Sequence, residues 1–269
     1  MRALLASPLG LLIGLSLGAL GGGGSILAVP ALVYAAGQTA KGATTTSLIL
    51  VAITSIIGIV PHWRAGRVRL LPGALFGLAG VGGSLLGSRW NSSADPDLLL
   101  LAFSGVMVTA GVAMLRRARR QKAATEQTGT PPSAATSAAT AVRADTATVV
   151  KVLVAGSFVG LLTGFFGVGG GFVIVPALVL ALGFTMPEAV GTSLLVITIN
   201  SAVALTTRLQ GGSIEWGTVI PFTVASLIGV TIGGRLAGSR DSSTLQQWFV
   251  GLLFAVAAYT AVKSAIAVW

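Results

Sequence analysis

Two apolar stretches of this chain are interrupted by the residues least able to stay in a helix. Residues 18–33 read GALGGGGSILAVPALV, and residues 164–179 read GFFGVGGGFVIVPALV. Glycine in a helix interior costs about 1 kcal/mol relative to alanine. Proline removes a backbone donor and disfavours helix at the residue before it. The two glycine runs, each followed by a proline, predict a helix break at matching places, with Pro30 and Pro176 counted as part of it.

The stretches lie 146 residues apart, and the offset holds without a gap. Gly18 falls on Gly164, Gly21 on Gly167, Gly23 on Gly169 and Gly24 on Gly170. Further along, Gly37 meets Gly183, "TSL" at 46–48 meets "TSL" at 192–194, Ser55 meets Ser201 and Arg89 meets Arg235. Asp95, Phe103 and Gly105 meet Asp241, Phe249 and Gly251. Chance does not hold register this long. The chain reads as two tandem copies of one unit, an organisation common among secondary transporters.

Water is not the main solvent of such a unit. Only 9% of residues are charged and 54% are hydrophobic, against about 25% charged in a soluble domain. Four apolar segments occur in each copy, near 9–36, 43–62, 71–90 and 98–116, then 150–182, 188–207, 216–236 and 245–266. A membrane-spanning helix needs about 20 apolar residues. The expectation is an all-α polytopic membrane protein of two tandem homologous four-segment repeats and about eight transmembrane helices, the first helix of each repeat broken at its Gly-rich run. Repeat 1 covers 1–116 and repeat 2 covers 149–269. Between them, 117–148 is rich in Ala, Thr and Ser, carries Pro131 and Pro132, and lacks apolar periodicity, as a flexible linker does. The apolar run behind Arg2 has the pattern of a signal peptide, but its internal copy points to a structural span.

Eight crossings place thirteen basic residues on one side and four on the other. The positive-inside rule then puts both termini and the linker in the cytoplasm. If each broken segment were a re-entrant hairpin, the repeats would be inverted and the split would be twelve to five. Eight crossings are the reading favoured here.

Several chemistries are excluded or disfavoured. There is no cysteine and one histidine, His62, so thiol catalysis, disulfides and multi-histidine metal sites are ruled out; no cofactor or metal is implied. The formal charge of +10 comes from residues clustered in short loops, which argues for membrane topology rather than nucleic-acid binding. All seven acids lie in loops or at segment ends, so no carboxylate proton relay is visible. His62 adjoins Trp63 and a basic loop, the setting of an interface residue.

What remains is anion chemistry at the breaks. Unpaired amides at membrane depth are tolerated where they are buried in protein or line a wet cavity. A half-helix beginning there offers N–H groups and a positive dipole end. The candidate substrate-binding residues are Gly21, Gly22, Gly23, Gly24 and Ser25, with Gly167, Gly169, Gly170 and Gly171 in the second copy. The hydroxyl clusters Thr45, Thr46 and Ser47, and Thr192 and Ser193, would converge on the same pocket. Asn200, mid-span, is either interhelical glue or a ligand contact. Scattered glycines such as Gly77, Gly80, Gly83 and Gly87 read as helix-packing surfaces.

The pattern "GxGGGFxxVPxLv" early in each half, followed by "A(V)GTSL", resembles the TauE/SafE family of sulfite and organosulfonate exporters. Residues 167–179 with 189–194 are the closer match; in the first copy Ser25 replaces a glycine and Thr45 stands where the second copy has Gly191. The resemblance implies a bacterial-type plasma-membrane permease for a small anion such as sulfite or an organosulfonate. Its partners would be that anion and the lipid bilayer, with no nucleic acid, and a homo-oligomer is left open. The alternatives are a passive anion channel and an intramembrane serine hydrolase using Ser25 with His62 as base.

Overall fold

A computed structural model describes residues 7–34, 36–38, 40–91, 96–128, 146–166, 171–208 and 216–268. Every regular element among them is an α-helix: α1 Ser7–Leu20, α2 Gly23–Tyr34, α3 Ala40–Arg64, α4 Leu70–Asn91, α5 Pro96–Thr128, α6 Thr146–Phe166, α7 Gly171–Leu182, α8 Met186–Arg208, α9 Trp216–Gly238 and α10 Ser242–Val268. By length and composition, α3, α4, α6, α8, α9 and α10 can cross a membrane. Helix α5 carries the chain through the first part of the expected linker, whose residues 129–145 lie outside the described ones.

Small residues set the closest helix contacts, as expected for 77, 80, 83 and 87. A Cβ on Gly160 would lie 2.0 Å from the Gly80 carbonyl oxygen, one on Gly164 2.1 Å from that of Ser84, and one on Gly83 2.1 Å from that of Ser157. Helices α4 and α6 thus touch backbone to backbone and run in the same direction. Helices α1 and α9 do likewise, Gly14 against Ser226 and Gly18 against Val230. Such approach gains dispersion and interhelical contacts without a hydrophobic drive. Phe76, Phe222, Phe103 and Phe249 are fully buried; under the 146-residue offset they form two matching pairs.

The contacts also fix each helix's direction. Gly58 and Gly234 bring α3 alongside α9 at Val230 and Pro61, parallel to it and hence to α1. Two successive long helices with the same direction require α2 to return the chain. Consistent with that, a Cβ on Gly24 would sit 2.3 Å from the Ile13 carbonyl oxygen; in a straight helix those residues are about 16 Å apart. The second copy repeats the pattern. Helix α8 runs parallel to α4 through Gly73 against Thr192 and Gly77 against Ile199, as α6 does, so α7 must return. Phe103 of α5 holds that hairpin edge-on from both sides, 5.4 Å from Phe166 and 4.9 Å from Phe172.

The broken segments therefore do not continue across the bundle; each is a hairpin. This corrects the expectation of eight crossings. It also corrects the shared side of termini and linker. Helix α5 is antiparallel to α10, with Met114 bonded to Gln246 and Gly111 against Phe254. The Ser7 and Val268 ends lie at one end of the bundle, and Thr128 and Thr146 at the other. The prolines are not the break: the chain stays helical through Pro30 and Pro176. Between α1 and α2 the turn is made by Gly21, whose φ of +72° only glycine adopts readily.

Candidate functional site

The two hairpins meet at their glycines. A Cβ on Gly22 would fall 1.4 Å from the Gly171 carbonyl oxygen, and one on Gly171 2.6 Å from the Ser25 hydroxyl. Ser25 and Gly171 are equivalent under the 146-residue offset, so the breaks touch at corresponding points. Gly21, Gly22, Gly23, Gly24, Ser25 and Gly171 are all buried. Helices α2 and α7 both begin here, each with no acidic residue in its first turn. The junction gathers two helix N-termini, an environment suited to negative charge. Gly167, Gly169 and Gly170 lie outside the described residues.

Other expected residues sort unevenly around this junction. Ser193 of α8 faces it, its hydroxyl 2.3 Å from where a Cβ on Gly21 would stand, and it donates to the Val190 carbonyl at 2.8 Å. Thr192 is buried but turned to the loop after α3, accepting the Arg69 N–H at 3.1 Å. Thr46 and Ser47 are buried and Thr45 half-buried near the start of α3. Because α3 and α8 are antiparallel, with Gly58 level with Leu194, that cluster lies about 18 Å along the bundle from Ser193. The two hydroxyl clusters thus stand at different depths along the bundle. Asn200 lines a cavity of about 300 Å³ between α3, α4, α6, α7 and α8. Its Oδ1 is buried and has no hydrogen-bond partner.

Ser25 and His62 are not arranged as nucleophile and base. The Ser25 hydroxyl donates to the Gly22 carbonyl at 2.7 Å, and His62 Nε2 meets the Gly18 carbonyl at 3.2 Å. His62 corrects the interface reading. It is 1% exposed where Trp63 is 54% exposed, and it packs against Gly191 of α8. Successive helix positions are turned by a third of a circle, so a neighbour on the lipid face says little about its own side.

The loop after α3 closes this end of the junction. Arg69 donates from Nε to Glu188 Oε1 at 3.1 Å, while Glu188 Oε2 accepts the Thr185 N–H at 3.0 Å and its hydroxyl at 2.9 Å. One carboxylate thus caps α8 and ties it to the first copy. Arg117 of α5 donates to the carbonyl of Val179 at the end of α7, a cation where the helix dipole is negative. None of these partners was singled out from the sequence; only pairing in space reveals them.

The comparisons with known proteins agree on class. Residues 6–260 match the family described as sulfite exporter TauE/SafE. A relative from Xylella fastidiosa (strain Temecula1), named "Probable membrane transporter protein", is 34% identical over 94% of this chain and 92% of its own length. The "Probable membrane transporter protein YdhB" of Bacillus subtilis is 24% identical over 87% and 90%. No solved structure matches. Family, relatives and apolar helices make this a multi-pass membrane transporter, and the chain belongs to the sulfite exporter TauE/SafE family.

Proposed function

We propose that the chain is a secondary transporter that exports a small anion such as sulfite or an organosulfonate, bound between two inverted repeats beside the contact of their glycine turns. The observation that carries this reading is the contact of Gly22 with Gly171, two helix breaks joined at membrane depth. A helix-start amide at that depth is costly unless protein, a guest or water pairs it. Two helix N-termini at one point favour an oxyanion.

The opposed directions of α3 and α8, and of α5 and α10, support inversion of the repeats, the arrangement that lets one rock against the other around a central site. Eleven of the fifteen basic residues among the described ones lie toward the linker end, so that end is cytoplasmic and the α1 and α10 ends are external. Export of an anion gains about 2.3 kcal/mol per charge per 100 mV of an inside-negative potential, so no coupled ion is required.

The test is flux from liposomes loaded with sulfite or short sulfonates. Saturable, counterflow-competent efflux that rises with an inside-negative potential, and falls at least tenfold in a folded Ser25→Val or Ser193→Val variant, is expected. Flux that does not saturate and shows no counterflow would make the protein a channel. Flux indifferent to both substitutions would remove the glycine junction as the site.

A further inference from the structure

The cavity beside Asn200 has a mixed lining. It carries the polar side chains of Ser84, Ser88, Thr163, Asn200 and Ser201 together with apolar ones, Leu48, Ile174 and Val203 among them. Thr163 and Ser88 spend their protons within their own helices, on the carbonyls of Val159 at 2.7 Å and Leu85 at 3.0 Å. The Asn200 amide remains, with its buried Oδ1 unpartnered. A half-turn about its last bond exchanges acceptor for donor at that point. A buried polar atom without a partner costs about 1–3 kcal/mol, and a cavity beside it offers the remedy.

The other copy provides an internal control. Positions 146 residues from Ser84 and Thr163 are Val230 and Leu17, and Leu48 corresponds to Leu194. Leu17, Leu194 and Val230 pack together, all at 0% exposure. Thr54, in the place of Asn200, is satisfied by the Leu50 carbonyl at 2.6 Å. The same helix geometry thus closes dry when its wall is apolar. Packing alone therefore does not demand the polar residues near Asn200.

We infer that this cavity is a binding vestibule for the transported species, with Ser84, Ser201 and Asn200 determining specificity, and that it takes an oxyanion carrying a short apolar body. The volume is about 300 Å³, room for about ten waters at roughly 30 Å³ each, which is generous for a bare inorganic oxyanion. The apolar part of the lining has no use for one. The cavity extends from Asn200, midway along α8, toward the C-terminal ends of α4 and α8, away from the linker. This inference rests on the transporter reading.

Grafting the sealed copy's residues tests it. Wild type and the Ser84→Val/Thr163→Leu variant are compared in nanodiscs for binding of sulfite, methanesulfonate, propanesulfonate and benzenesulfonate by calorimetry, with Asn200→Thr as a second, single change. Wild type should bind the propyl and aryl sulfonates at least tenfold tighter than sulfite. The variants should lose at least tenfold toward the sulfonates while keeping their melting temperature. Equal binding by folded variants, tighter binding of sulfite, or a co-purifying lipid that no sulfonate displaces would each overturn the vestibule. Liposome flux separates the two readings: flux retained by wild type and variants alike removes only the vestibule, whereas absence of flux for every anion in wild type removes both.

Discussion

Gly22 and Gly171 leave no room between them for a single methyl group, and the whole arrangement turns on that. Gly22→Ala places a carbon 1.4 Å from a backbone oxygen, which no side-chain rotation can relieve. A loss of about 1–3 kcal/mol or more is expected, read as a lowered melting temperature in detergent together with lost transport. Gly105→Ala is the contrast. Nothing lies within 4 Å of a Cβ there, so removing helix-interior glycine should be neutral or stabilising by up to about 1 kcal/mol. Equal effects of the two substitutions would mean that the breaks do not touch. The glycine runs were legible because cost per residue accumulates along the chain. The role of the prolines was not. Pro176 sits in the second turn of α7, where the carbonyl it leaves unpaired is that of Phe172, close to the helix's open end. Ser84 and Thr163 were also passed over, although the offset pairs them with Val230 and Leu17; polarity present in one copy and absent in the other was the available signal.

At the scale of elements, apolar length alone could not distinguish a broken crossing from a hairpin. Both put the same residues in lipid, and the positive-inside counts barely differ. The direction of neighbouring helices decides, and that is a tertiary quantity. The tie between the α3–α4 loop and α8 can be tested separately from the hairpins. Arg69 and Glu188 are partly buried, 35% and 16% exposed at the side chain, and share further partners, so a double-mutant cycle of Arg69→Ala and Glu188→Ala should return a coupling of about 1 kcal/mol or more. Additive effects on thermal stability would show that the ion pair does not hold the two copies together.

The whole molecule makes a topological prediction. Because the native chain has no cysteine, single cysteines report their side cleanly. One placed at Ala123 on α5 should react only with reagents that reach the cytoplasm. One at Ser242, at the start of α10, should behave the same way, and one at Pro8 should be labelled from outside intact cells. Labelling of Pro8→Cys from the cytoplasm would restore the parallel arrangement. By itself the sequence determined the solvent, the helical class, the duplication and the places where helices break, because these follow from composition, periodicity and backbone cost, all local properties of the chain. Only the tertiary structure decided that the broken segments fold back, that the Ser7 and Val268 ends lie opposite the Thr128 and Thr146 ends, that Ser193 faces the junction, and that one copy keeps a polar cavity where the other is sealed. Those outcomes depend on which helix surfaces meet and in what direction, and residues more than a hundred positions apart set them jointly.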